Sequence, residues 1–120
     1  MTKILIVDDE TQSRQRIKEY LKRILKDSQI DEAGRGDKAL EKIDTEEFDL
    51  IILDIKLPGI SGIDILKNTQ AKNLNYLVIS GWDSFSVAKE ALNLGAKDYL
   101  PKPFSMKILG LKVRELLSQR

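Results

Sequence analysis

Polar side chains able to bind a cation or a phosphate follow four separate apolar stretches of this chain. They are Asp8 and Asp9, Asp54, Ser80 and Lys102. Three carboxylates that lie together repel one another unless a cation is present, and oxygen ligands without histidine or cysteine suit Mg²⁺ or Mn²⁺. Such a cation binds phosphoryl oxygens, to which an ammonium and a hydroxyl can also donate. Because aspartate can form an acyl phosphate, we predict that Asp54 accepts a phosphoryl group.

The composition excludes several other classes of site. The 120 residues contain no histidine and no cysteine, which rules out histidine-assisted serine or cysteine catalysis, thiolate-bound zinc and disulfides. Lysine and arginine number 20 against 19 aspartates and glutamates, so strong non-specific DNA binding is not expected. The sequence has no signal-peptide pattern and no apolar run near the roughly 20 residues of a membrane span. We therefore expect one cytoplasmic domain over residues 1–120, without membrane contact.

Strand and helix patterns alternate strictly along the chain. Short apolar or β-branched runs predict strands at Ile4–Val7, Gln29–Ala33, Leu50–Leu53, Tyr76–Ile79 and Asp98–Leu100. Apolar residues at helical spacing predict helices at Thr11–Lys26, from Asp37 through Ile43, at Ser61–Lys72, from Phe85 through Leu92, and at Met106–Leu117. We expect Asp37 to cap the second helix, and Arg14 and Lys18 to lie on the solvent side of the first.

Five strand–helix repeats predict an α/β, flavodoxin-like (βα)5 fold. It is a single domain with a doubly wound, five-stranded parallel sheet in the order 2-1-3-4-5 and helices on both faces. Ligands of such sheets bind beyond the carboxyl ends of the strands, beside the point where the strand order reverses. The polar residues named above all belong to that edge.

Each of these residues has a simpler interpretation when it is taken alone. Aspartates between a strand and a helix are common N-caps, and Asp54 also suits a turn. Ser80 suits a cap or a turn, and Lys102 between two prolines suits a solvated side chain. The simpler interpretations do not explain why the residues fall at four different strand ends, so the joint pattern favours the functional interpretation.

Four motifs resemble the receiver domains of bacterial two-component response regulators, over residues 4–117. The motifs are Ile-Val-Asp8-Asp9-Glu10, Leu-Asp54-Ile-Lys-Leu-Pro58-Gly59, Ile-Ser80-Gly81 and Asp-Tyr99-Leu-Pro-Lys102-Pro103. The resemblance implies that Asp54 is phosphorylated from a histidine of a sensor histidine kinase. It also implies a set of Mg²⁺ ligands: Asp9, Asp54, the main-chain carbonyl of Lys56 and, through water, Asp8.

The resemblance further implies a conformational switch. The hydroxyl of Ser80 and the ring of Tyr99 are expected to move toward the phosphorylated site, while Lys102 pairs with the phosphate. The peptide bond between Lys102 and Pro103 is expected to be cis, a geometry largely confined to X-Pro bonds. Trp82, two residues after Ser80, flanks the path of an attacking water in this fold. We expect it to exclude water from the acyl phosphate, to pack at the start of a helix or to contact a partner.

The chain is expected to be either the receiver of a longer transcription factor, with transcription as the output of the switch, or a stand-alone receiver. Residues 80–85 and 88–96 are similar to receivers joined to arabinose-regulator-type helix-turn-helix domains, so DNA contact is expected only through an output domain that this chain lacks. Besides the kinase, a second copy of the chain is an expected partner, through helix 4, strand 5 and helix 5. Lys89, Asp98 and Arg114 are placed to form ion pairs between the two copies.

Two alternative functions share part of the pattern. Hydrolases of the haloacid-dehalogenase type also use a strand-end aspartate with Mg²⁺, but they need a second carboxylate two residues later, where this chain has Lys56. Receiver-like modules that signal without phosphorylation usually lack an acidic residue or the lysine, and this chain has both. We therefore expect a signalling domain rather than an enzyme with its own substrate.

Overall fold

The computed structural model of the chain describes residues 1–81 and 85–119. In this part the strands and helices are β1 (Thr2–Val7), α1 (Thr11–Ile24), β2 (Ser28–Ala33), α2 (Gly36–Thr45), β3 (Leu50–Asp54), α3 (Gly62–Thr69), a short 3-10 turn (Gln70–Lys72), β4 (Tyr76–Gly81), α4 (Phe85–Asn93), β5 (Asp98–Lys102) and α5 (Met106–Ser118). The strands form one parallel sheet in the order β2-β1-β3-β4-β5. The predicted fold class is confirmed. Among the described residues, no helix combines the length and the apolar character needed to cross a bilayer.

The central strand β3 is buried along its whole length. Its side chains alternate between two core clusters: Ile51 and Leu53 pack with α2, α3 and α4, and Leu50 and Ile52 pack with α1 and α5. A parallel strand covered on both faces is apolar at every position, which explains the unbroken run in the sequence. Asp54 ends this strand, so it stands at the carboxyl end of a fully buried strand.

Several helix ends differ from the predicted ones. Helix α2 begins at Gly36 with Arg35 at the N-cap position, so the prediction that Asp37 caps this helix is wrong. The Asp37 carboxylate instead accepts a hydrogen bond from Arg35 Nε at 3.0 Å. The predicted start of α3 is confirmed, because the Ser61 hydroxyl caps that helix by accepting a hydrogen bond from the Asp64 N–H.

Strand β5 forms one edge of the sheet and contains a proline. The N–H of Tyr99 donates to the carboxylate of Asp98 at 2.7 Å. Pro101, two residues further along, has no N–H to donate. Residues two apart in a strand present their backbone groups to the same side, so Tyr99 and Pro101 belong to one side of β5.

Candidate functional site

The sheet register gathers the predicted polar residues at one edge. Val7 lies opposite Leu53 in the β1–β3 pair, so Asp8 and Asp54 come next at the same level of the sheet. In the β4–β5 pair Ser80 lies opposite Pro101, one residue before Lys102. The carboxyl ends of four strands therefore converge, as the sequence predicts.

Three carboxylates lie close together at this edge. One oxygen from each of Asp8, Asp9 and Asp54 falls within 4.8 Å of the other two. Asp8 is fully buried, Asp54 is 6% exposed and Asp9 is exposed. A group of oxygen ligands that is open to solvent on one side fits a hard divalent cation, which would also relieve the repulsion among the charges.

The ammonium of Lys102 bridges two of these carboxylates. Its Nζ donates to Asp54 Oδ2 at 2.9 Å and to Asp8 Oδ2 at 3.0 Å, and it lies 3.5 Å from Glu10 Oε1. The peptide bond between Lys102 and Pro103 is cis, as predicted. The interpretation of Lys102 as a freely solvated lysine is therefore wrong.

Burial and charge act against each other at this ion pair. Burial of the Asp54 carboxyl raises its pKa, and the hydrogen bond from Lys102 only partly offsets this, so the pKa lies above the usual value. Burial lowers the pKa of Lys102, but the hydrogen bonds and negative charges of Asp54 and Asp8 raise it well above the usual value. Lys102 is thus held as a cation beside a carboxylate that is poorly solvated and close to another carboxylate.

The loop between β3 and α3 is held against the start of α2. The N–H of Gly36 donates to the carbonyl of Pro58 at 3.0 Å, and a Cβ atom on Gly36 would lie only 1.6 Å from the carbonyl oxygen of Ile60. Gly59 has φ +79°, a conformation that glycine adopts without strain. In the same loop, the N–H of Lys56 donates to Asp54 Oδ1 at 3.2 Å. This loop therefore has a fixed path beside the acidic cluster.

The two residues predicted to switch lie on the neighbouring strands β4 and β5. Ser80 is 1% exposed, and its hydroxyl has no hydrogen-bond partner in residues 1–81 and 85–119. Tyr99 is half-buried and packs against the core cluster on the α2, α3 and α4 side. A buried hydroxyl without a partner is uncommon in proteins and indicates a site at which a further acceptor is expected. Trp82, predicted to shield the site, lies outside the described residues.

Arg14 contacts the acidic loop, so its predicted solvent-facing position is wrong. Its guanidinium donates to the main-chain carbonyl of Asp8 and to the carboxylate of Glu32, and Lys18 donates to the same carboxylate. Arg14 precedes the buried Ile17 by three residues, which places both on one face of α1. The three-residue spacing between Arg14 and Ile17 could have indicated this position from the sequence, but the charge of Arg14 favoured the solvent side.

Two of the three residues expected to form ion pairs between copies, Asp98 and Arg114, are engaged within this chain. Asp98 accepts a hydrogen bond from Lys112 Nζ at 2.9 Å. Arg114 donates from Nη2 to the carbonyl of Ile24 at 3.0 Å, which turns it toward α1 rather than toward α4. The prediction that Arg114 lies on the face of α4, β5 and α5 is therefore wrong.

A protein-family model described as "Response regulator receiver domain" matches residues 4–114. The chain belongs to this family. The receiver domain of Francisella response regulator 1452 superposes with a TM-score of 0.90 at 31% identity, covering 99% of this chain and 98% of that one. The fold is thus that of a response-regulator receiver domain, which is a signalling domain.

Curated relatives of this receiver domain are longer proteins. The transcriptional regulatory protein ResD of Bacillus subtilis is 36% identical over 119 residues, which cover 97% of this chain and 48% of ResD. A cyclic di-GMP phosphodiesterase of Thermotoga maritima is 34% identical over 119 residues, covering 98% of this chain and 31% of that protein. The chain therefore spans about half or less of the length of these two relatives, whose names describe different outputs.

Proposed function

We propose that this receiver domain accepts a phosphoryl group on Asp54 from a sensor histidine kinase, in a reaction that requires Mg²⁺ or Mn²⁺. The observation that carries the proposal is the position of Asp54, which lies beside two further carboxylates and within 2.9 Å of Lys102. Chemically, an oxygen of Asp54 attacks the phosphorus of a phosphohistidine. The new P–O bond forms as the P–N bond breaks, and the electron pair of that bond remains on the imidazole, which takes up a proton.

The cation site of the proposal consists of oxygen atoms only. Asp9, Asp54 and the carbonyl of Lys56 would bind the ion directly, and Asp8 would hold it through water. When bound, the ion neutralises negative charge on the transferred phosphoryl group. Asp54 supplies the nucleophile, and the protonated Lys102 would pair with one phosphoryl oxygen. The buried Ser80 hydroxyl would donate a hydrogen bond to a second phosphoryl oxygen.

Phosphorylation of Asp54 would add a dianion at the edge of the sheet that carries Ser80 and Lys102. We assign Ser80 and Tyr99 to the switch, because the hydroxyl of Ser80 is buried without a partner among the described residues and the half-buried ring of Tyr99 stands on the adjacent strand. A dianion favours whichever arrangement brings Ser80 and Lys102 closest to it. Movement of β4 and β5 would then displace α4 and α5, which flank them.

The face formed by α4, β5 and α5 is our proposed contact with a second copy of the chain. Large apolar side chains on α4 and α5 are exposed and available for such a contact: Phe85, Leu92, Ile108 and Leu111. Sedimentation of the phosphorylated protein should reveal a dimer that Leu111→Lys weakens. An unchanged monomer after phosphorylation would remove this part of the proposal.

The output we propose is transcriptional, through a separate DNA-binding domain. The similarity to receivers of the arabinose-regulator type supports it, and so does the similarity to ResD, which is named as a transcriptional regulatory protein. In this proposal the domain is cytoplasmic, its only chemistry is its own phosphorylation and dephosphorylation, and DNA is reached only through the output domain.

Mass measurement tests the central proposal. Acetyl phosphate can replace the kinase, because attack by Asp54 on its phosphorus releases acetate. Incubation with acetyl phosphate and Mg²⁺ should add one phosphoryl group to the intact protein, and chelation of the metal should prevent the addition. Asp54→Asn should remain unmodified, with Asp64→Asn, an exposed aspartate on α3, as the matched control. Addition to Asp54→Asn, or no addition to the unsubstituted protein, would contradict the proposal.

A further inference from the structure

Arg14 connects the acidic loop after β1 to strand β2. Its Nη1 donates to the main-chain carbonyl of Asp8 at 2.5 Å, and its Nε donates to Glu32 Oε1 at 3.1 Å. The guanidinium also packs over the backbone of Gly34, where a Cβ atom would lie 3.1 Å from Arg14 Nη1. The side chain is 16% exposed, so its position is determined by protein contacts rather than by solvent.

The carbonyl that Arg14 binds belongs to a residue with no access to water. Asp8 is 0% exposed. Its N–H donates to the carbonyl of Ala33, its Oδ1 accepts from the N–H of Glu10 and its Oδ2 accepts from Lys102. The hydrogen bond from Arg14 to the main-chain carbonyl completes this set. Without Arg14 a buried carbonyl would lose its charged donor, and the peptide group between Asp8 and Asp9 would be free to rotate toward another donor.

Glu32 fixes the direction of the guanidinium. Its carboxylate accepts from Arg14 on one oxygen and from Lys18 on the other, at 3.1 Å in each case. Burial raises the pKa of Glu32, but the hydrogen bonds from Lys18 and Arg14 together lower it below the usual value, so the carboxylate stays charged. A guanidinium that donates to two acceptors is held in one orientation, whereas a flexible ammonium is not.

We propose that Arg14 is a positioning residue for the cation site: by holding the Asp8 carbonyl, it sets the peptide that aims the Asp9 carboxylate toward Asp54. Arg14 does not contact the cation or the phosphoryl group in this proposal. The inference rests on the proposed function, because it assumes that the acidic cluster binds Mg²⁺.

The sign of the effect separates positioning from simple electrostatics. Arg14 carries a positive charge within hydrogen-bonding distance of the acidic loop, so it repels a cation bound there. Removal of that charge alone would strengthen Mg²⁺ binding. Loss of positioning predicts the opposite, a weaker site, and removal of groups that orient metal ligands usually lowers metal affinity by roughly 10-fold or more.

Three substitutions test the proposal in the otherwise unchanged chain. Arg14→Gln removes the charge and the bidentate geometry, and Arg14→Lys keeps the charge but can reach only one of the two acceptors. Lys18→Gln is the matched control, since it removes a charge from the same helix and from the same Glu32 carboxylate without contact to Asp8. Urea unfolding establishes that each variant is folded at the temperature used.

Two measurements report on the site. Isothermal titration calorimetry gives the Mg²⁺ dissociation constant of the unphosphorylated protein, and intact-mass time courses give the phosphorylation rate from acetyl phosphate as a function of Mg²⁺. For Arg14→Gln we expect roughly a 10-fold increase in the dissociation constant and in the half-saturating Mg²⁺ concentration. The rate at saturating Mg²⁺ should stay that of the unsubstituted protein, because Asp54 and Lys102 are untouched.

The variants distinguish the outcomes. Arg14→Lys should weaken the site less than Arg14→Gln, and Lys18→Gln should not weaken it. Unchanged or tighter binding in Arg14→Gln, or equal weakening by Lys18→Gln, would overturn the positioning role. If Arg14→Gln does not fold, Arg14→Lys decides alone: weaker binding supports the role, and unchanged binding overturns it. Failure of the proposed function gives a different result, since the unsubstituted protein itself would then neither bind Mg²⁺ nor gain a phosphoryl group.

Discussion

Replacing Ser80 with alanine should stabilise the protein. The Ser80 hydroxyl is buried at 1% exposure without a hydrogen-bond partner among the described residues, and an unpaired buried polar group costs about 1–3 kcal/mol. Alanine keeps the backbone and the Cβ atom, so only the unsatisfied oxygen is removed. That oxygen also attracts its neighbours by dispersion, which offsets part of the gain, so we expect the free energy of unfolding to rise by about 1 kcal/mol.

The expected rise is large enough to measure. With 120 residues, the entropy of unfolding is about 0.25 kcal/mol per degree, so 1 kcal/mol corresponds to a Tm increase of about 4 °C. Urea unfolding and calorimetry in the absence of Mg²⁺ both report the change. The measurement uses the unphosphorylated protein, in which the proposed acceptor of the Ser80 hydroxyl is absent.

Ser61→Ala is the matched control for the same chemical change. The hydroxyl of Ser61 accepts the N–H of Asp64 at the start of α3, and loss of such a cap costs about 1 kcal/mol. The two serine-to-alanine substitutions should therefore change stability in opposite directions. If Ser80→Ala is destabilising, the hydroxyl has a partner in the folded protein, and the reasoning that links its burial to the phosphorylated state fails.

Three further predictions concern the rest of the fold. Gly36→Ala should lower the free energy of unfolding, measured with urea, by about 1–3 kcal/mol or more, because the added Cβ would overlap a carbonyl oxygen of the β3–α3 loop. An unchanged free energy would mean that this loop can shift to make room for the Cβ atom. Burial raises the pKa of Asp31, but its hydrogen bonds, above all that from Lys42, hold the pKa below the usual value of 3.8. The ion pair therefore stabilises the fold above that pH, and its contribution is lost as pH falls through the lowered pKa of Asp31. Asp31→Asn lacks this contribution, so its free energy of unfolding should fall less on the acid side, by under about 1 kcal/mol. An unchanged dependence on pH would contradict this. Burial raises the pKa of Tyr76 to about 12, against a smaller opposing effect of its hydrogen bond with Thr69, so Tyr76→Phe should abolish a spectrophotometric titration step near pH 12.

The fold could be predicted from the sequence because its strands are buried on both faces. Unbroken apolar runs such as Leu50–Leu53 have one natural place, at the centre of a parallel sheet, and the alternation with amphipathic helices then sets the topology. The convergence of Asp8, Asp54 and Lys102 follows from that topology, because carboxyl ends of parallel strands share an edge. The roles of these residues in metal binding and phosphoryl transfer remain predictions that the proposed experiments test.

The sequence was less informative where long side chains reach between elements. Arg14 has a charge typical of the solvent side, yet its hydrogen bonds to Asp8 and Glu32 hold it against the acidic loop. Arg114 likewise follows the helical pattern of an exposed residue, but it bonds a carbonyl of α1. The helix period gives the direction of a Cβ atom, but the end of a flexible cation depends on which backbone carbonyls lie near it in three dimensions.

The edge of the sheet at β5 is unsuited to growth by another strand. The Tyr99 N–H is already bound by Asp98, and Pro101 on the same side offers no hydrogen. An incoming chain would find two successive donor positions closed, so it could not form a continuous hydrogen-bonded ladder there. Copies that meet at this border must therefore recognise each other through side chains. Such contacts do not extend the β-sheet of one copy into that of the next.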